Sequence, residues 1–111
     1  TFLNPLYVDN LMLSKSKIIT IVQENAETVR SFGVCELILV GSFASGTATA
    51  RSDVDLLVEF LPSRGLFDDY AGLQNFLESL LGRSVDLIKP SLIRDELKES
   101  ILNGPRAQAS I

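Results

Sequence analysis

The chain has 111 residues, of which 46% are hydrophobic and 22% charged, and a formal net charge of −4. That describes one small globular domain with enough apolar material for a core, and it argues against an intrinsically disordered protein. The acidic balance is a poor match for sequence-independent binding of DNA or RNA, so no direct nucleic-acid contact is expected and a basic protein partner fits better; no apolar run approaches the roughly 20 residues of a membrane span.

Residues Thr1 to Leu11 carry little pattern beyond Asn4-Pro5, whereas Met12-Leu-Ser-Lys-Ser-Lys reads as a natural start. Residues 1–13 are therefore read as an N-terminal extension, disordered or introduced upstream, ahead of a domain over 14–104 and a tail over 105–111. Between Ser16 and Phe32, apolar residues at Ile18, Ile21, Val22, Ala26, Val29 and Phe32 follow helical spacing, with Ser14 or Ser16 as N-cap and Gly33 as the stop. Glu36 to Val40 reads as a buried strand ended by Gly41, and Ser42 to Ala48 as a turn plus a short helix. Thr49 to Ser52 is a polar loop, and Val54 to Leu61 is a second strand stopped by Pro62.

Leu66, Phe67, Tyr70, Leu73, Phe76, Leu77, Leu80 and Leu81 make a helical stripe closed by Gly82, and its aromatics are read as core. Ser84 to Ile88 is a third strand ended by Pro90, and Ile93, Leu97, Ile101 and Leu102 mark a last helix before Asn103-Gly104-Pro105. Arg106 to Ile111 shows no clear pattern. The order predicts a small α/β domain with a short sheet and helices packed mainly on one face. The lone Cys35 cannot form an internal disulfide and is expected as a buried, reduced core residue of a cytoplasmic protein.

Chemistry concentrates in three places. Gly41-Ser42 ends the first strand, where a serine hydroxyl and the amides that follow can face an anion, although a plain N-cap looks the same. After ten more residues come Asp53-Val54-Asp55, two carboxylates that share one face of a strand and repel unless a cation lies between them. Ser-x-x-Asp is also a capping box, and a surface strand end could leave both carboxylates solvated; some sugar transferases use the same pair. Asp86 opens the third strand with its side chain opposite to Val85 and Leu87, on the face it can share with Asp53 and Asp55. Three carboxylates beside a phosphate turn suit hard cations that carry a nucleoside triphosphate. No P-loop and no GxGxxG is present. The absence of histidine removes the Ser-His-Asp triad and the HExxH zinc site, leaving proton transfer to a carboxylate, Lys, Tyr or metal-bound water.

Together, GSFASGTATARSDVDLLVEF and, about thirty residues on, SVDLI resemble the minimal nucleotidyltransferases of the DNA polymerase β superfamily. A chain this short looks most like the MNT antitoxins, which are encoded beside HEPN-domain ribonuclease toxins and transfer AMP from ATP onto a toxin tyrosine. The resemblance implies a polymerase-β-like fold over roughly Ser14 to Asn103. It implies that Gly41 and Ser42 hold the β- and γ-phosphates and that Asp53 and Asp55 bind two Mg²⁺ ions. Asp86 would ligate the catalytic ion and serve as base for the attacking hydroxyl. One residue departs from the family pattern: Ser45 stands where an arginine is common, and Arg51, Lys89 and Arg94 are the candidates to replace that cation. Two other outcomes stay open. The chain could neutralise its toxin by masking alone, or transfer a nucleotide to a small molecule; the latter enzymes usually add a substrate-binding domain, for which this chain has little room.

Overall fold

A computed structural model describes residues 13–111, so the reading of residues 1–12 as an extension lies outside the described residues. The elements are helices α1 (Lys15–Glu24) and α2 (Ala26–Ser31), strand β1 (Val34–Val40), the short α3 (Gly41–Ser45), β2 (Val54–Phe60), α4 (Phe67–Leu81), β3 (Val85–Ile88), a 3-10 turn (Pro90–Leu92), α5 (Asp95–Leu102) and β4 (Ala107–Ala109). They form a four-stranded mixed sheet in the order β3-β2-β1-β4. β1 runs antiparallel to β2 and β4, while β2 and β3 are parallel.

Alternation along the strands sorts the two faces. Leu37, Leu39, Val54, Leu56, Val58, Val85 and Leu87 turn to one side, where Ile18, Val22, Val29, Leu73 and Leu77 of the helices complete the main core. On the other side Ile38, Val40 and Leu57 form a smaller cluster, packed by Ile88, Ile93, Ile101 and Leu102. Helices α1, α2 and α4 thus cover one face, and α5 lies over part of the other.

The single helix expected over 16–32 is divided at Asn25. Its amide side chain donates to the Ile21 carbonyl at 2.8 Å, competing with the main-chain ladder. Ser14 is the N-cap of α1, accepting from the Lys17 amide at 3.3 Å. The tail, which carries no pattern of its own, is strand β4: Ala107, Gln108 and Ala109 pair with Leu39, Ile38 and Leu37. Small residues of low β-propensity hide that strand from a local reading, because its stability comes from pairing with a central strand.

Two expectations about burial are corrected. Cys35 is exposed, since the register shifts between Val34 and Glu36 and this bulge turns the thiol outward. Leu66 and Phe67 are 74% and 81% exposed; they stand at the start of α4, beyond the rim of the core that buries Leu73, Leu77 and Leu81. The other two aromatics hold their place. Tyr70 packs against the core and donates to the Leu87 carbonyl, and Phe76 meets Phe32 at a centroid distance of 6.0 Å.

The outer edge of β3 is covered by α4 side chains one turn apart. The Gln74 amide donates to the Val85 carbonyl and the Val85 amide to Glu78 Oε2, both at 2.9 Å. With Tyr70 on Leu87, these bonds occupy main-chain groups of an edge strand and fix its register.

The loop from β2 to α4 is closed by Asp69, which accepts from Arg64 Nε and Nη2, both at 2.7 Å, and from the Gly65 amide at 2.9 Å. Arg64 also donates to the Ser31 carbonyl at the end of α2. The Arg64 hydrogen bonds, then that from Gly65, hold the Asp69 carboxyl down at about 2. A carboxylate depressed on folding adds stability above its unfolded value, near 3.9, and loses it as the pH falls through its folded value. Asp69→Asn should therefore lower the urea midpoint at pH 7, and the gap to the parent chain should close as the pH is taken from about 4 towards 2. Parallel urea titrations across that range check it.

Candidate active site

At the end of β1 the chain must leave the sheet directly beside β2, because Val40 pairs with Asp55. Gly41 makes this turn at φ +73°, and a Cβ there would run into the Asp55 carboxylate, whose Cγ lies 3.2 Å from that position. Both the left-handed backbone and the close approach require glycine. Ser42 follows in α3, which ends at Gly46 with the Thr47 amide bonded to the Ser42 carbonyl at 2.9 Å.

Asp55 is the second residue of β2 and is half-buried, while Asp53 stands just before the strand and is exposed. The parallel register sets Asp55 directly beside Asp86 of β3. Asp86 is exposed, while its neighbours Val85 and Leu87 are buried on the opposite face. The Asp55 carboxyl is raised above the ordinary carboxylate range, first by burial, then by the charges of Asp86 and Asp53, and also by a hydrogen bond with Asp86. Among the described residues no basic side chain lowers it. Among the described residues no three carboxylate, imidazole or thiol groups already converge as a metal cage. Asp55 and Asp86 touch, and Asp53 reaches the pair through its charge.

The donor set fits a hard divalent cation. All three groups are carboxylates at one end of the sheet, and the strain on Asp55 is of the kind that a cation between the carboxylates relieves. The cations suggested for the place of the missing arginine do different work. Lys89 donates to the Gly65 carbonyl at 2.7 Å and lies over the Phe60 and Tyr70 rings, at the far end of β2. Arg51 and Arg94 are exposed, the latter ahead of α5. Ser45 itself closes α3, its hydroxyl 3.1 Å from the Ser42 carbonyl and 2.8 Å from Thr47 Oγ1.

One residue at the site went unseen in the sequence. Arg83 donates to the Ser52 carbonyl at 2.8 Å and to the Thr49 carbonyl at 3.3 Å, and its guanidinium lies 5.4 Å from the centre of the Phe43 ring. It therefore ties the loop that delivers Asp53 to the helix that carries Ser42. Its loop partners lie 31 and 34 positions away, so no local spacing announces it. A basic residue two positions ahead of a carboxylate-bearing strand is the hint the sequence offers.

Comparison with known proteins identifies the family. The model of the nucleotidyltransferase domain family matches residues 15–106. The protein adenylyltransferase MntA of Thermococcus cleftensis is 36% identical over 94 residues, covering 82% of this chain and 92% of the relative. A solved structure described as a minimal nucleotidyltransferase superposes with a TM-score of 0.67 at 32% identity, over 82% of this chain and 92% of that one. The fold is also that of a chain in a toxin-antitoxin crystal structure with AMP-PNP, at a TM-score of 0.60 and 23% identity over 88% of this chain and 73% of that one. A family match running from α1 to the threshold of β4, around a turn and three carboxylates at one end of the sheet, places the chain in the nucleotidyltransferase domain family.

Proposed function

We propose that this chain is an antitoxin that transfers AMP from ATP onto a tyrosine hydroxyl of a partner toxin, a HEPN-domain ribonuclease, in the cytoplasm. The observation that carries the reading is the side-by-side register of Asp55 and Asp86 next to Gly41. A relative named as a protein adenylyltransferase supports a protein acceptor. The likeness to a toxin-antitoxin structure holding AMP-PNP supports the partner class and the nucleotide.

Asp53, Asp55 and Asp86 would hold two Mg²⁺ ions. When bound, these neutralise phosphate charge and stabilise the attacking and leaving oxygens of an in-line displacement. The rest of the work falls to the chain. Gly41, with no side chain, lets the Asp55 carboxylate lie directly against the turn, and Ser42 would offer a hydroxyl and an amide to the β- and γ-phosphates. Asp86, exposed on the sheet edge, is open to an acceptor arriving from outside and takes its hydroxyl proton. The tyrosine oxygen then bonds to the α-phosphorus, the bond from that phosphorus to the bridging oxygen breaks, and pyrophosphate leaves. Positioning and charge neutralisation account for most of such catalysis, so no histidine is needed.

A second reading is favoured by Ser45 alone: with no cation at that place, the chain would silence its toxin by masking it. The two readings separate in one assay. With α-labelled ATP, Mg²⁺ and the neighbouring toxin, the toxin should take up label. Asp53→Asn and Asp55→Asn should each slow transfer by more than about a hundredfold, about 2.7 kcal/mol of barrier. Label that never reaches the toxin, or transfer that survives both substitutions, rejects the chemistry; neutralisation that persists without all three carboxylates selects masking.

The electrostatics add a further outcome. Because folding raises the Asp55 carboxyl, the ionised group costs stability above its unfolded value. Asp55→Asn should raise the melting temperature of the metal-free protein at pH 7 by a few degrees, and excess Mg²⁺ should shrink or reverse that gain. Thermal melts with and without Mg²⁺ check it.

A further inference from the structure

Of the three carboxylates, Asp53 is the one that strand register does not place. Asp55 and Asp86 face each other across β2 and β3, whereas Asp53 stands ahead of β2, exposed, where the loop from α3 arrives. Its two neighbours carry the same charge and push it away. A carboxylate in that position stays near the others only if the main chain around it is fixed.

Both peptides that flank Asp53 are fixed, and by consecutive residues. The Ser52 carbonyl accepts from Arg83 Nη1 at 2.8 Å, and the Val54 amide donates to the Ser84 carbonyl at 2.9 Å. Gly82 ends α4 in the left-handed conformation, and the register of Val54 with Val85 then brings Arg83 to the start of β2. The turn it meets is closed on itself: the Thr49 amide donates to Ser52 Oγ at 2.8 Å and the Ser52 amide to the Thr49 carbonyl at 3.1 Å. Arg83 Nη1 also reaches that Thr49 carbonyl, at 3.3 Å. Behind the half-buried guanidinium is the ring of Phe43, buried in the core and next in sequence to Ser42. A planar cation held against a ring is anchored in a way that an exposed, flexible side chain is not.

We propose that Arg83 is a positioning residue for the metal centre: by holding the peptide ahead of Asp53, it keeps that carboxylate within reach of an ion bound by Asp55 and Asp86. The inference rests on the metal-site reading above and deepens it, because it makes one of the three carboxylates depend on a residue outside the ligand set. With the main chain held, Asp53 joins the ion by turning its side chain, without movement of the loop. Two rival roles differ in sign. A guanidinium that acted only through its charge would repel a divalent ion, so its removal would tighten metal binding. One that served only the fold would leave the metal affinity of the folded chain unchanged.

The probe is Mn²⁺ alone, with the free ion followed by electron paramagnetic resonance as the whole chain is titrated. Arg83→Gln should weaken Mn²⁺ binding by about tenfold or more, as the loss of a group that orients a metal ligand does. Arg83→Lys, which keeps a donor and the charge, should recover part of that loss. In an Asp53→Asn background, Arg83→Gln should change Mn²⁺ binding by less than about twofold, because the carboxylate it positions is gone. Thermal melts set a temperature at which the variants are folded; if the glutamine variant is not, Arg83→Lys carries the comparison, binding more weakly than the parent by a smaller factor. Unchanged or tighter binding in the Arg83 variants overturns the proposal, the first marking a role in the fold alone and the second a role through charge. A loss equally large in the Asp53→Asn background overturns it too, since Arg83 would then act on the other carboxylates. A parent chain that takes up no Mn²⁺ overturns the metal-site reading and this inference with it.

Discussion

Two carboxylates on neighbouring strands of a parallel pair, one opposite the other, are a placement that folding by itself disfavours. Partial burial of Asp55 disfavours its charge first, and the like charges of Asp86 and Asp53 add to the cost. The register that creates this contact is enforced from the other face of the same strands. Val54, Leu56, Val85 and Leu87 are all buried there, and a slip of one residue would turn each of them towards solvent. The Gln74, Glu78 and Tyr70 side chains of α4 bind the main chain of β3 from outside and hold the same register. The apolar face and the helix together keep Asp86 beside Asp55 against their mutual repulsion.

The rest of the site is arranged around that pair. Gly41 is needed because Asp55 occupies the space a side chain would take, so the turn after β1 and the Asp55 carboxylate lie as close as their atoms allow. Arg83 holds the far end of the loop between them, with its guanidinium on two loop carbonyls and over Phe43. A turn, a loop and a strand from separate parts of the chain thereby form one rigid edge. Burial and the neighbouring carboxylates raise the Asp55 carboxyl at that edge, so on the proposed reading a divalent ion bound there would stabilise the fold and equip it for phosphate chemistry.

Much of this was legible in the residues. The strand end at Gly41, the aliphatic run from Val54 and the stripe ending at Gly82 are local patterns, and each describes a real element, although Asp53, expected on the same strand as Asp55, stands just ahead of it. The carboxylates also stood out because they interrupt runs that are otherwise aliphatic. What escaped depends on contacts distant in the chain. β4 is a strand only because β1 offers it a partner. Arg83 matters only because the loop folds back on it. Cys35 points outward because a bulge lets the strand turn there, and a bulge has no fixed composition. Asn25 divides a continuous helical stripe by a side-chain bond that spacing alone does not reveal. Phe67 fits the helical period and is still exposed, since period defines a face and not where the core ends.

The most direct test of the account is where a divalent ion sits when nucleotide is present. Crystals grown with Mn²⁺ and a non-hydrolysable ATP analogue would locate the metal by its anomalous scattering. The account predicts manganese bound by the carboxylates of Asp55 and Asp86, with Asp53 drawn in from its exposed position and the phosphates against Gly41 and Ser42. Manganese and phosphate bound elsewhere, with Asp55 and Asp86 still in contact and no metal between them, would contradict it.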